Sequence, residues 1–218
     1  DLNGDEFLDV VVANRKSQNF IYYNNGRGKF ANGVAFGSLD EATITIAAGD
    51  MNGDQLTDLV LANRNGQANR IYYGPRFKES SLFGTKNDET RGVVLTDMNG
   101  DNYLDIVVAN IGEKNCIYFG NEEGSYERHI FFGRKQDKTM AVDVGDIDND
   151  GDIDIVVGNN GQKNHYYINN DMKFSLNQFG KKEEVTYGVS LGDFNGDGRL
   201  DLVTANSASV NVIYYNIK

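Results

Sequence analysis

The chain has 218 residues, 39% of them hydrophobic, with 32 acidic against 21 basic side chains and a net charge of −11. That length suits one all-β domain or a piece of a larger one, and the acidity argues against nucleic acid as a partner. No apolar run reaches the ~20 residues of a membrane helix, and 12 Tyr and 12 Phe at recurring places exclude disorder.

The chain opens on an acidic nonapeptide, DLNGDEFLD, from Asp1 to Asp9. It begins inside a motif and without Met, so further sequence is expected before it. The run VVVAN, Val10 to Asn14, follows; it is β-branched and too short for a helix, so it predicts a buried strand. A polar connector, Arg15-Lys16-Ser17-Gln18, ends at Asn19 and leads into FIYYN, whose aromatic and β-branched residues favour a pleated surface. A variable stretch then ends in Phe36-Gly37. Five residues after that Phe stands an acid, Glu41, and seven after it Thr43, which opens a further predicted strand ending at Gly49.

From Asp50 the series starts again. The nonapeptide returns as DMNGDQLTD, DMNGDNYLD, DIDNDGDID and DFNGDGRLD from Asp50, Asp97, Asp146 and Asp193, at separations of 49, 47, 49 and 47 residues. Strands LTDLVLAN, YLDIVVAN, DIDIVVGN and RLDLVTAN follow, then connectors ending at Asn69, Asn115, Asn164 and Asn211, then RIYYG, CIYFG, HYYIN and VIYYN. Phe83-Gly84, Phe132-Gly133 and Phe179-Gly180 close the units, each Phe standing 14 residues before the next loop Asp. The acid and Thr recur as Asp88/Thr90, Asp137/Thr139 and Glu184/Thr186.

About four short strands per period of this size are the blades of a β-propeller. A β-solenoid is the weaker alternative, since its coils have shorter periods and uniform turns. The expected domain is therefore one β-propeller over residues 1–218, or a fragment of one. It would hold three complete blades and two partial ones, the first lacking its opening strand and the last its outer strand. Missing sequence or a partner chain is expected to complete the ring.

The nonapeptide carries the chemistry. In Asp50, Asn52, Asp54 and Asp58, side chains at positions one, three and five converge if the backbone curls around an ion. Position seven offers its carbonyl and position nine closes the shell. Oxygen-only ligands select a hard cation, and loose six-to-eight coordination suits calcium. The Gly at position four allows the sharp turn; the fourth loop moves its Gly to Gly151 and adds Asp148, so it should bind at least as tightly as the others. An EF-hand is rejected, because position twelve is Val12, Leu61, Val108, Val157 or Thr204 instead of the bidentate Glu. Asp and Asn as simple turn formers do not account for five copies in register. Sixteen of the 32 acids stand at these ligand positions, so five divalent ions would bring the chain close to neutrality.

A Phe-Gly pair, a strand, a D-x-N-G-D-x-x-x-D loop and an apolar strand together resemble the FG-GAP repeat of integrin α-chains and the related VCBS-type propellers of bacteria and fungi. The resemblance covers the whole chain, although the repeats are shorter than those of integrins. It implies a calcium loop between the first and second strand of each blade. The implied ligands are Asp1, Asn3, Asp5 and Asp9; Asp50, Asn52, Asp54 and Asp58; Asp97, Asn99, Asp101 and Asp105; Asp146, Asp148, Asp150 and Asp154; and Asp193, Asn195, Asp197 and Asp201. Up to five calcium ions follow, and the amino group of Asp1 stands beside the first.

The acid and Thr before each innermost strand carry two readings. In one they bond backbone within a turn; in the other they ring the mouth of a central channel and contact a ligand. The single cysteine, Cys116, reads as a small buried hydrophobe, and His165 as a packed residue, not a base. No phosphate loop, zinc spacing or Ser-His-Asp arrangement is present. The expected function is a calcium-stabilised, lectin-like or adhesive module for a protein or carbohydrate, extracellular or at a cell surface. The connectors Arg15 to Gln18, Arg64 to Gln67 and Gly161 to Lys163 are its candidate contacts. A propeller enzyme such as a polysaccharide lyase, or a purely structural domain, is the alternative.

Overall fold

The computed structural model describes residues 1–85, 87–181 and 184–217. Among the described residues there are eighteen strands and no helix, and so none long and apolar enough to cross a membrane. The strands form five antiparallel sheets, each an up-and-down meander, taken in chain order. The first holds β1 (Val10–Val12), β2 (Asn19–Tyr22) and β3 (Val34–Phe36). The second holds β4 (Thr43–Gly49), β5 (Asp58–Asn63), β6 (Asn69–Tyr72) and β7 (Ser80–Phe83). The third holds β8 (Thr90–Thr96), β9 (Asp105–Asn110), β10 (Asn115–Tyr118) and β11 (His129–Phe132). The fourth holds β12 (Thr139–Gly145), β13 (Asp154–Asn159), β14 (Asn164–Ile168) and β15 (Ser175–Phe179), and the fifth β16 (Val185–Gly192), β17 (Asp201–Ser207) and β18 (Val212–Tyr214). Three four-stranded sheets flanked by two three-stranded ones is the division the repeats predict.

The sheets pack face to face, which explains why the strand after each nonapeptide is apolar at successive positions and does not alternate. Val60 and Ala62 of β5 pack toward the third sheet with Ile106 and Val108. Leu59 and Leu61, on the opposite face, pack toward the first sheet with Ile21 and Phe36. In the same way Val107 and Ala109 meet Ile155 and Val157. The six residues of β5, β9 and β13 are all buried. In the first sheet Val10 is 42% exposed.

Two motifs meet at every sheet boundary. The Phe that ends one sheet packs edge-on against the Tyr of the next sheet's third strand. Phe36–Tyr72, Phe83–Tyr118, Phe132–Tyr167 and Phe179–Tyr214 have centroid separations of 5.7, 5.3, 5.2 and 5.3 Å. These near-perpendicular rings are the arrangement aromatic quadrupoles prefer.

The connector Asn and the Thr form a second link. Asn19, Asn69, Asn115 and Asn164 donate from Nδ2 to the hydroxyls of Thr43, Thr90, Thr139 and Thr186 in the next sheet, at 3.3, 3.0, 3.2 and 2.9 Å. Thr43, Thr90 and Thr186 in turn donate to Oδ1 of Asn63, Asn110 and Asn206. The N–H of each of those asparagines reaches the next connector Asn, at Asn69, Asn115 and Asn211. Buried amides and hydroxyls thus form a relay through all five sheets. It is interrupted between Thr139 and Asn159, whose Oδ1 is buried with no partner among the described residues.

The acids decide between the two readings, in favour of the turn. Glu41, Asp88, Asp137 and Glu184 do not ring an opening; all four are buried. Each accepts the N–H of the residue after its Phe-Gly pair, from Ser38, Thr85, Arg134 and Lys181. Glu41 also takes the Tyr72 hydroxyl at 2.6 Å and the Arg70 guanidinium at 3.1 Å. The threonines bond side-chain amides, not turn backbone.

Each innermost strand carries one irregularity. The register of β4 on β5, β8 on β9, β12 on β13 and β16 on β17 shifts immediately after the Thr. This β-bulge sets Ile44, Arg91, Met140 and Tyr187 out of the ladder. A bulge re-aims a side chain, and these four positions differ in chemistry while their neighbours match.

Candidate metal loops

The nonapeptides join β4 to β5, β8 to β9, β12 to β13 and β16 to β17, and the first precedes β1. In every loop the backbone wraps the first Asp. Its Oδ1 accepts the N–H of position five, from Asp5, Asp54, Asp101, Asp150 and Asp197 at 3.2, 3.2, 3.1, 3.1 and 3.1 Å. Its Oδ2 accepts the N–H of position six, from Glu6, Gln55, Asn102, Gly151 and Gly198.

Two positions need a left-handed backbone. Position four is Gly4, Gly53, Gly100 or Gly196 at φ 75–79°, and Asn149 at 62° in the fourth loop. Position six is also left-handed, at Glu6, Gln55, Asn102, Gly151 and Gly198. The fourth loop places its glycine at the second of these sites and an asparagine, which tolerates that conformation, at the first. Sequence reading saw one glycine site and missed the other; the Gly-x-Gly of the fifth loop was its signal.

Positions three and five converge. Asn3, Asn52, Asn99 and Asn195 donate from Nδ2 to Oδ2 of Asp5, Asp54, Asp101 and Asp197 at 3.1, 3.1, 2.9 and 3.2 Å. In the fourth loop carboxylate oxygens of Asp146, Asp148 and Asp154 all lie within 4.8 Å of one another. Ligand oxygens about 2.3–2.6 Å from one calcium ion are separated by no more than about twice that distance. These residues fit the ion on spacing and on donor type. In the fifth loop Arg199 pairs with Asp197.

The ninth-position Asp has a role that sequence reading missed. Asp58, Asp105, Asp154 and Asp201 are fully buried. The Oδ2 of Asp9, Asp58, Asp105, Asp154 and Asp201 accepts the N–H of Leu2, Met51, Met98, Ile147 and Phe194 at 2.8, 2.9, 2.9, 2.7 and 3.1 Å. The Oδ1 accepts the N–H just beyond the tyrosine strand, from Asn24, Gly74, Gly120, Asn169 and Asn216. This Asp therefore ties the start of the loop to the exit of the third strand. Each oxygen keeps a second lone pair. Burial foremost, with the neighbouring loop carboxylates adding to it, pushes Asp105 and Asp154 up to about 6, against the pull of those N–H donors.

The other singled-out side chains are structural. Cys116 is buried, and burial pushes its thiol up to about 12. His165 is buried beside Asp137, Arg134 and Gln178, and burial holds its imidazole below its ordinary value against the pull of Asp137. Among the connectors, Gln67 and Gln162 brace neighbouring backbone at Ala42 and Lys138.

The FG-GAP-like repeat family matches the chain four times in overlapping register, over residues 1–61, 50–108, 97–157 and 146–204. No curated protein is similar to it in sequence. Solved structures are similar in fold. BBS1N, crystallised in complex with ARL6DN and soaked with mercury, aligns with a TM-score of 0.63 at 13% identity, over 96% of this chain and 62% of that one. The V. cholerae biofilm matrix protein Bap1 aligns at 0.59 and 22% identity, over 96% of this chain and 34% of that one. The chain therefore spans less than two thirds of either protein, and at these identities the likeness is one of propeller-like fold.

Proposed function

The chain belongs to the FG-GAP-like repeat family, and from that premise we propose that it is a calcium-stabilised binding module for a protein or carbohydrate. The observation that carries the reading is the fourth loop, where oxygens of Asp146, Asp148 and Asp154 gather within 4.8 Å. The same backbone wrap in all five loops supports extending it to each. The side chains at positions one, three, five and nine would hold the ion, which when bound neutralises carboxylates that otherwise repel one another. Four of the five loops are continuous with two strands of one sheet, so an ion there stiffens the sheet, not a moving part.

The partner is proposed by analogy. BBS1N was crystallised with ARL6DN, and Bap1 is a protein of a biofilm matrix; both support a surface that holds other macromolecules. Loops with four side-chain ligands, three or four of them carboxylates, suit the weak, 10⁻⁴–10⁻³ M class of calcium site found in extracellular modules, so the chain is assigned to the cell exterior. Further repeats or a partner chain would complete the ring beyond the three-stranded end sheets.

Melting with millimolar calcium and with excess chelator tests the metal. Each loop occupied at 100 times its dissociation constant adds about 2.7 kcal/mol, so calcium should raise the midpoint by many degrees, and Asp146→Asn with Asp148→Asn should remove part of the rise. Identical midpoints with and without chelator would refute the reading. A submicromolar calcium affinity would refute the exterior assignment.

A further inference from the structure

We infer that the end of the molecule away from the acidic loops binds an acidic saccharide, with Arg15, Arg64 and Arg91 pairing its carboxylates and Tyr187 stacking on a sugar ring. This deepens the binding-module reading and rests on it, though not on the metal.

The bulge at the start of each innermost strand supplies the frame. β4, β8, β12 and β16 belong to consecutive sheets, and neighbours among them touch. Gly92 of β8 backs onto Val142 of β12, and the Leu191 N–H of β16 donates to Asp143 of β12 at 2.8 Å. The bulged side chains therefore follow one another along an arc. Three of them, Ile44, Arg91 and Met140, are half-buried, while Tyr187 is 56% exposed.

Cations from the neighbouring sheets gather there. Arg15 pairs as an isolated bridge with Ala42, and the Arg64 N–H donates to the carbonyl of that same Ala42 at 3.2 Å. Arg64 Nε lies 3.7 Å from Glu89, two residues before Arg91 in sequence. Burial, and then the charges of Arg64 and Arg15, hold the Arg91 guanidinium below its ordinary value, while Glu89 and Tyr187 oppose them. Arg15, Arg64, Glu89 and Arg91 thus come from three consecutive sheets, and Tyr187 occupies the equivalent bulge two sheets beyond Arg91.

This cluster is out of character for a chain of net charge −11. Of the three guanidiniums only that of Arg64 pairs with a carboxylate, Glu89, among the described residues. The Nε atoms of both Arg64 and Arg91 are buried with no hydrogen-bond partner among the described residues. Buried donors are normally satisfied; Arg64 Nε faces Glu89, so Arg91 is the guanidinium that points to an acceptor arriving with a ligand. Guanidinium forks match carboxylates in a bidentate way. The exposed phenol ring of Tyr187, at the equivalent bulge, offers the flat apolar platform that one face of a pyranose needs. A sugar chain bearing a carboxylate on each unit satisfies both demands at once.

The test is calorimetric titration with a trimer of galacturonic acid at fixed free calcium, with the neutral galactose trimer and tetraglutamate in parallel. The acidic trimer should bind and the neutral one should not. Loss of one charge-assisted contact is worth about tenfold or more in affinity. Arg91→Ala and Arg64→Gln should each weaken binding by that factor, Tyr187→Ala by several-fold, and each variant should keep its calcium-dependent melting rise. Arg91→Lys, which keeps the charge but not the fork, should fall between. No binding of the acidic trimer, binding indifferent to both arginines, or tighter binding of tetraglutamate would each overturn the inference. Calcium-dependent melting without saccharide binding would sink this inference alone; saccharide binding without any calcium effect would sink the metal reading alone.

Discussion

The glycine of the second Phe-Gly pair is set by two constraints at once. Gly84 has φ +93°, and a Cβ there would collide with the Asp88 carboxylate that caps the same turn. Gly84→Ala should therefore lower stability by about 1–3 kcal/mol, read by denaturant titration, whereas an alanine at Gly112, where no atom lies within 4 Å, should cost only its backbone strain. His165 gives a pH signature. Its imidazole is held below 6.5 by burial, so the unfolded chain takes up the proton first. The stability it contributes is complete above about pH 6.5 and is lost as pH falls through the folded-state value. The slot holds Phe, Arg, Cys and Val in the other repeats, so His165→Val should fold. The melting midpoint of the parent should drop relative to that variant between pH 7 and pH 5; parallel curves would refute the assignment.

Between elements, the repeat writes each boundary twice, once in Phe and Tyr and once in Asn, Thr and Asn. Thr90 accepts from Asn69 and donates to Asn110, all three buried. Thr90→Val preserves shape but strands two buried amides, so it should cost about 1–3 kcal/mol per unpaired group. Thr139→Val should cost less, because Thr139 has no bond onward to Asn159; a chemical-denaturation series on both variants decides it. Much of this architecture was legible in sequence. The strands from Thr43 to Gly49 and from Asp58 to Asn63 follow from β-branched runs between turn signals, and the five-sheet division follows from the period. What was not legible is pairing across a boundary. Asn69 and Thr90 recur visibly, but nothing in a linear pattern says that they touch. The nonapeptide was read as a loop, as the strand bounds place it, yet Asp58, Asp105 and Asp154 were assigned to an ion alone, because the backbone N–H groups they also hold come from 15 or 16 residues further on.

Across the whole molecule, stability should be uneven. β5, β9 and β13 are covered on both faces, whereas among the described residues β1 has neither a preceding sheet nor an inner-strand neighbour, and β18 has no outer partner. Amide exchange followed by mass spectrometry should find β1 and β18 opening first and β9 last; uniform protection would mean that the ends are covered by contacts between copies. Charge is uneven too. The acids of the nonapeptides lie at one end of the strands, and Arg15, Arg64 and Arg91 at the other, so the molecule is polarised along its strand axis.

Because every boundary is built from residues that each period supplies in full, adding or deleting one whole unit creates no unfamiliar contact. Such a chain can change its number of units during evolution by simple duplication or loss, and only the side chains at the four bulges then need to diverge for the new copy to acquire a different taste in partners.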